Sequence, residues 1–538
     1  MAGKKRGSEN FSFGPSLWKS ADKMRGKMDA SLYRVLIIPL IWVKYISDSF
    51  DHYKNMSGIS ADDSKDLKGG GRYGVPNEAH WNDITSWTAS EDDTSDSDDE
   101  NLGNFIATAL TKLAEKKAPA VQQAYKFFAR GYVNLDPVSN RVLAGVVELF
   151  NRPTGEGGLP DFYAEGSGRS EDLLGYVYEF FIGKFAEKEK RGGEFYTPRT
   201  IVKLIVKMIE PFDGDIYDGC CGSGGMFFQS PKLVESLRKS VDFKIYGQEA
   251  NSFTWACGVL NLEYRIGGEF DLGPHNEDTL LKPLHRGMKF RYAITNPPFN
   301  LKHWTEEVVP PIGQDERWML IDDKRYVNDS NANFAWIQHY LDHLDSKGIA
   351  AIVMTNGSLS SAKAEDKIVR EAIVEGDFLD CVVLLPDKMF TNAGISACIW
   401  ILTKDKTRRQ HRNRSGETLF IDCRKVPGEM VSRTKREFTE DELDRIGGTY
   451  NNWRSKKNFE SYEDERGFCK SATTVDIKEH DYILVPGRYV GAPPYVDDGV
   501  PFQEKMDGQL ERKRKLSKES KRLDKEIRKN LRELGFEY

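Results

Sequence analysis

The spacing of apolar residues changes character near residue 170. Before that point, apolar positions recur every three or four residues over Leu17–Met28, Leu32–Tyr53, Asn104–Phe128 and Arg141–Phe150. This predicts a mostly helical region through residue 150. The stretch 57–101, rich in Gly, Asp and Ser, predicts an exposed loop between these helices, and the Gly/Pro-rich stretch from Asn151 to Gly168 predicts a connection to the next region. Beyond it, short runs rich in Ile, Val or Leu alternate with helical stretches: Asp215–Cys220, Phe243–Gln248, Tyr292–Thr295, Ile349–Thr355, Leu379–Leu385 and Ala397–Leu402. Such alternation predicts an α/β fold, a mostly parallel, doubly wound sheet with helices on both faces. After about Lys404 the pattern loosens; about 135 residues follow the last predicted strand, ending in a charged helix over Gln503–Leu534. The expected divisions are 1–150 (helical), 151–410 (α/β), 411–502 (mixed) and 503–538 (terminal helix).

Composition narrows the class. With 538 residues, 39% of them hydrophobic and 30% charged, the chain has the profile of a soluble protein of several domains. Its longest apolar run, Val35–Val43, contains Pro39 and falls well short of the roughly 18 residues needed to span a bilayer. A buried helix is expected there, with no membrane segment. No apolar run follows Lys4, Lys5 and Arg6, and seven cysteines show no C-x-x-C spacing, so a reducing cytoplasm is expected. His339 and His343 lie four residues apart but lack the glutamate of H-E-x-x-H, which favours a structural role over zinc binding. No metal site is expected. The net charge of −6 does not support a strong nucleic-acid binder acting alone. Seven of the ten residues Glu91–Glu100 are acidic, whereas Arg512–Arg532 is dense in Lys and Arg. The acidic run reads as a solvated loop.

Four segments carry candidate chemistry. DGCCGSGGM (Asp218–Met226) follows a predicted strand and precedes a helix; its Gly222, Gly224 and Gly225 would let the backbone approach a ligand closely. A tight strand-to-helix turn explains it equally well. It matches neither G-x-G-x-x-G nor a P-loop, which points to a nucleoside ligand without a phosphate chain. Glu249, in YGQEAN, falls at the next strand end, 27 residues beyond Gly222, where an acceptor pair can face ribose hydroxyls. Taken alone, it could equally be a surface residue. Asn296–Phe299 (NPPF) ends another strand. An exocyclic amino nitrogen is a poor nucleophile because its lone pair is delocalised into the ring. Acceptors on both hydrogens favour a pyramidal nitrogen, and the Asn296 side-chain oxygen and Pro297 carbonyl can supply them. The prolines stiffen this turn, and Phe299 would stack on an extruded base. The plainer alternative is a proline turn. GGEFYTPR (Gly192–Arg199) reads by itself as a Gly-rich turn with packed aromatics.

Together these segments resemble the gamma class of amino-methyltransferases, in which the Phe-Tyr-Thr-Pro segment and glycine loop precede Asn-Pro-Pro-[Phe/Tyr]. The whole chain is similar to the modification subunit of type I restriction-modification systems. Further matching segments are ANFAWIQHYL (332–341), GIAAIVMTNGSLS (348–360) and LLPDKMFTNAGISACIWIL (384–402). The resemblance implies a Rossmann-like domain dependent on S-adenosyl-L-methionine (SAM), preceded by a helical domain and followed by a helical tail for subunit assembly. It implies that Glu194, Phe195, Tyr196, Thr197, Pro198 and Arg199 bind SAM, as do Asp218, Gly222, Ser223, Gly224, Gly225 and Glu249. Asp278, in NEDTL, would approach the cofactor's adenine. Asn296, Pro297, Pro298 and Phe299 would hold a target adenine for methylation on its exocyclic nitrogen. Implied partners are DNA, a specificity subunit, a second modification subunit and a restriction/translocase subunit. Gly219 departs from the family's Asp-Pro at the glycine loop, a change expected to loosen the turn without removing a side-chain contact.

The chain has no Walker A motif and no obvious pair of target-recognition domains, which assigns translocation and sequence choice to other polypeptides. Two other readings fit an N-P-P-aromatic motif: methylation of RNA adenine or protein glutamine, and a silent scaffold in a defence complex.

Overall fold

The computed structural model describes residues 14–26, 28–57, 74–90, 101–163, 170–188, 197–228, 233, 235, 244–267, 269–390, 396–407, 411–432, 435–492 and 502–533. Residues 1–490 form one compact unit, and residues 491–538 form a second.

The helical region comprises α1 (Gly14–Arg25), α2 (Ala30–Ser57), α3 (Trp81–Ser90), α4 (Leu102–Ala114), α5 (Pro119–Arg130) and α6 (Pro137–Asn151). Two expectations are corrected here. The predicted helix Asn104–Phe128 is two helices, because Pro119 opens α5 at a position where its missing N–H costs nothing, and Lys116 turns left-handed at φ 64°. The predicted loop 57–101 contains α3, whose Trp81 and Ile84 are buried in the core. The acidic run 91–100 lies outside the described residues. By length and apolarity α2 is able to cross a membrane, but its Leu36–Ile46 stretch supplies core residues packed against α7 (Ser170–Lys188).

The second region is a nine-stranded sheet. Its strands are β1 (Ile216–Asp218), β2 (Ile245–Gly247), β3 (Phe270–Asp271), β4 (Phe290–Thr295), β5 (Leu344–Thr355), β6 (Leu379–Leu384), β7 (Ala397–Thr403), β8 (Glu417–Asp422) and β9 (Cys469–Thr473). They lie in the order 9-8-6-7-5-4-1-2-3. β1 to β5 pair in parallel, β7 runs antiparallel between β5 and β6, and β9 runs antiparallel on β8. All six predicted strands are present. β6 and β7 are buried along their whole length, apolar in both except for Asp380 in β6 and Thr403 at the end of β7.

The sheet does not end at Leu402 as expected. β8 and β9 extend it, held by a charge buried in β6: Asp380 accepts from Arg414 Nε at 3.1 Å and from Tyr450 Oη at 2.6 Å. Tyr450 lies on α13 (Glu440–Arg454), which packs against α8 (Arg199–Ile209). The other α-helices of this unit among the described residues are α9 (Gly225–Phe228), α10 (Ser252–Asn261), α11 (Asn333–Asp342), α12 (Ala364–Glu375) and α14 (Thr474–Glu479). The helical region is packed onto the sheet region through α5 and α10, and Tyr125 Oη meets Tyr264 Oη at 2.6 Å in the shared core. Strand order reverses between β1 and β4, and in open α/β sheets the crevice beyond such strand ends is where ligands bind.

The second unit carries α15 (Phe502–Glu533), close to the expected terminal helix; Leu534 lies outside the described residues.

Candidate functional site

The loops leaving β1 and β2 are joined by continuing the parallel ladder. Gln248 N donates to the Asp218 carbonyl and Cys221 N to the Gln248 carbonyl, both at 3.0 Å. Gly222 and Gly224 then adopt φ of 57° and 87°, a region open to glycine at little cost. The Glu249 carboxylate accepts from the Gly222 amide at 3.0 Å and the Asn251 amide at 2.8 Å. Glycine loop and acidic residue therefore meet, as their spacing anticipated. The Ser223 carbonyl is held by Asn261 Nδ2 at 3.0 Å. Gly225 opens α9, described through Phe228; residues 229–232 lie outside the described residues.

Asp218 occupies a different place from the ligand contact expected of it. Its side chain is 0% exposed, and its Oδ1 accepts from Thr295 Oγ1 at 2.7 Å and Cys220 N at 3.1 Å. Burial pushes its pKa up to about 6. The carboxylate thus ties β1 to β4 beneath the loop. Gly219 is also more constrained than expected: a Cβ there would lie 2.7 Å from Tyr217 Oη, so a side chain would have to displace the buried Tyr217 ring.

Asp278 reaches the same crevice by way of Gln248, which the sequence pattern did not single out. Gln248 is buried; its Nε2 donates to the carbonyls of Glu277 (3.1 Å) and Lys282 (2.9 Å), and its Oε1 accepts from Leu284 N at 2.9 Å. The loop so fixed presents Asp278, whose Oδ1 accepts from the amides of Leu280 at 2.8 Å and Leu281 at 3.1 Å. Glu277 N donates to the Glu249 carbonyl at 3.0 Å, closing the loop onto the β2 end. A buried glutamine at a strand end was the only local signal for this role.

At the end of β4, Asn296 Nδ2 donates to Thr197 Oγ1 at 3.0 Å. Thr197 and Pro198 are buried just ahead of α8, and Arg199, its first residue, is exposed. Glu194, Phe195 and Tyr196 lie outside the described residues. Pro297 is buried, Pro298 exposed and Phe299 half-buried. Phe299 meets the buried Phe390 edge-on, with ring centroids 6.2 Å apart at 78°. Phe390 was not identified as a site residue, although it lies in the matching segment 384–402.

His339 and His343 are structural. His339 Nε2 contacts Tyr217 Oη at 2.9 Å and its Nδ1 contacts Arg317 Nη1 at 3.3 Å, while His343 Nδ1 contacts the His339 carbonyl at 2.8 Å. Burial holds both imidazoles below their usual range, that of His343 at about 4. Among the described residues there is no group of three or more His, Cys, Asp and Glu able to hold a metal ion.

A mixed sheet reversing between β1 and β4, with a glycine turn at one of those strand ends and a proline turn at the other, defines the class of α/β methyltransferases. Residues 169–498 match the N-6 DNA methylase family, and residues 13–150 match the HsdM N-terminal domain. The chain belongs to the N-6 DNA methylase family, within the methylase subunits of type I restriction enzymes. It is 40% identical over 410 residues to the type I restriction enzyme HindI methylase subunit of Haemophilus influenzae, covering 76% of this chain and 87% of that one. To the MjaIX methylase subunit of Methanocaldococcus jannaschii it is 31% identical over 556 aligned positions, covering 97% and 92%. Its fold matches that of the type I restriction-modification system methyltransferase subunit from Streptococcus thermophilus with a TM-score of 0.67 at 23% identity, over 89% of this chain and 99% of that one. The chain is accordingly an adenine-specific DNA methyltransferase and a modification subunit.

Proposed function

We propose that the chain binds SAM over the ends of β1 and β2 and presents its methyl group to an adenine held at the end of β4. The observation that carries this reading is the adjacency of the two turns across the switch point, tied together by the Asp218–Thr295 hydrogen bond. The cradle fits a nucleoside. Its backbone turns left-handed at two glycines, and a half-buried carboxylate, Glu249, stands at its edge. Gly222, Ser223, Gly224, Gly225 and Glu249 would hold the ribose and methionine portions, with Asp278 near the adenine and Thr197–Arg199 covering the methyl end. Asp218 and Gln248 keep these loops in place.

Bound SAM supplies a methyl group on a sulfonium, which needs only a nucleophile in line. The protein's task is to make the adenine amino group nucleophilic. The Asn296–Thr197 bond turns the amide so that Oδ1 points away from Thr197 as an acceptor. With the Pro297 carbonyl it would accept hydrogen bonds from the two amino hydrogens, and Phe299 and Phe390 would flank the ring.

The HindI and MjaIX relatives are methylase subunits of type I restriction enzymes. By that kinship this chain works in the cytoplasm with a specificity subunit that chooses the DNA sequence. A second modification subunit and a restriction/translocase subunit complete the assembly. Residues 1–150, 151–410, 411–502 and 503–538 would be its helical, catalytic, sheet-extending and assembly segments. Labelled SAM offered with duplex DNA, ribosomal RNA and a glutamine peptide tests the reading: incorporation into DNA alone, and only when the specificity partner is present, is expected. Labelling of RNA or peptide would overturn it.

A further inference from the structure

The segment ANFAWIQHYL has no part in the function so far, yet the structure sets it against the catalytic turn. Asn300, directly after Phe299, is left-handed at φ 56°. Its backbone N–H donates to Asn333 Oδ1 at 3.0 Å, and its own Oδ1 accepts from Asn333 Nδ2 at 3.0 Å and Asn331 Nδ2 at 2.9 Å. Asn331 Oδ1 in turn accepts from Asn333 N at 2.9 Å, and Ala332 N donates to the Leu301 carbonyl at 2.9 Å. Asn333 is the buried first residue of α11. Near the other end of α11, Tyr340 Oη lies 2.7 Å from Thr295 Oγ1. One helix thus grips the residue before Asn296–Phe299 and the residue after it.

Ordinary helix capping is the plainer explanation for a polar residue at this place. It does not fit, because the N-cap of α11 is Ala332 with no side-chain cap bond, and both ends of the Asn333 amide are spent on Asn300. Asparagine enters the left-handed region more readily than most L-residues but not as freely as glycine, and the paired Asn333 amide offsets the remaining cost by fixing both the Asn300 N–H and its side-chain oxygen. If the clamp opens, Asn300 relaxes toward negative φ and swings the Phe299 ring and the two acceptors with it.

We propose that Asn333 is a positioning residue for methyl transfer: by a paired amide contact it holds Asn300 left-handed and so sets the turn that receives the adenine. The inference rests on the assignment of Asn296–Phe299 to the target base.

The test is single-turnover methylation by the full complex, with its specificity partner, on duplex DNA carrying the target. Asn333→Ala is expected to slow methyl transfer by about 10–100-fold, the scale of a misplacement of roughly 1 Å, with SAM affinity within about twofold of the parent. The decisive arm is the double variant with Asn300→Gly, because glycine adopts φ near 56° unaided. It should recover at least about fivefold of the lost rate, which loss of packing around Asn333 alone would not allow. If Asn333→Ala does not fold, Asn333→Asp replaces it, retaining the acceptor for Asn300 N while losing the donor to Oδ1. A rate within twofold of the parent, or a folded SAM-binding variant that glycine does not rescue, overturns the proposal. A parent complex that puts no methyl on adenine would instead overturn the assignment beneath it.

Discussion

Asn296 and Thr197 are 99 residues apart in the chain, yet the Asn296 amide donates to the Thr197 hydroxyl at 3.0 Å. The contact joins the proline turn to the segment that leads into α8, so Thr197 links the proposed base and cofactor subsites. Removing the acceptor with Thr197→Val should cost about 1–2 kcal/mol of transition-state stabilisation, roughly 5–30-fold in single-turnover rate. Thr197→Ser should stay within about threefold. A larger loss with Thr197→Ser than with Thr197→Val would show that the methyl, not the hydroxyl, matters.

Asn296 and Glu249 should separate cleanly in calorimetry. Asn296→Ala is expected to abolish methylation with SAM affinity nearly unchanged. Glu249→Ala is expected to weaken SAM binding by about 1.5–3 kcal/mol, as loss of a charged hydrogen-bonding group does. Part of that loss reflects the glycine loop itself, because Glu249 also holds the Gly222 amide. Equal impairment of SAM binding in both variants would mean that the two subsites are interchanged.

Buried Asp218 makes stability fall as pH rises. Burial raises its pKa to about 6 from the ordinary 3.8 of an aspartate. Between those values the native state binds more protons than the unfolded state, so stability declines through that window and levels off above it. Asp218→Asn keeps an oxygen for Thr295 and Cys220 N without the charge. It should be more stable than the parent at pH 8, by an amount on the order of 2–3 kcal/mol. The difference should shrink to near zero by pH 4. Thermal unfolding at both pH values measures it, and a gap that widens on acidification would contradict the sign.

The six main strands and the two chemical turns were readable because each is a local pattern: an apolar run, then Gly or Pro, then an acidic or acceptor residue. The edge strands were not. CKSAT, which forms β9, has little apolar character, and its partner β8 depends on the distant pair Asp380–Arg414. Likewise Glu249, Asn296 and Phe299 announce themselves by motif, whereas Gln248, Phe390 and Asn333 gain their places only through contacts tens of residues away. Asp218 stands out by motif, yet that its carboxylate faces inward to Thr295 and Cys220 N is not something motif spacing discloses.

α15 should be an assembly element. Leu516, Leu523 and Ile527 lie along one stripe and are 63%, 44% and 53% exposed. A lone helix this polar needs a partner for that stripe to be stable. Deleting 503–538 should leave a folded, SAM-binding protein that no longer co-purifies with its specificity partner. Full-affinity assembly of the truncated chain would contradict this.

The most direct test of the central claim is nucleoside mass spectrometry of target DNA after one turnover with methyl-labelled SAM, comparing the parent complex with Asn296→Ala. The label should appear only as N6-methyladenine with the parent, and be absent with Asn296→Ala although that complex still binds SAM. Label on cytosine, or undiminished N6-methyladenine from the Asn296→Ala complex, would contradict the assignment of the β4 turn as the adenine site.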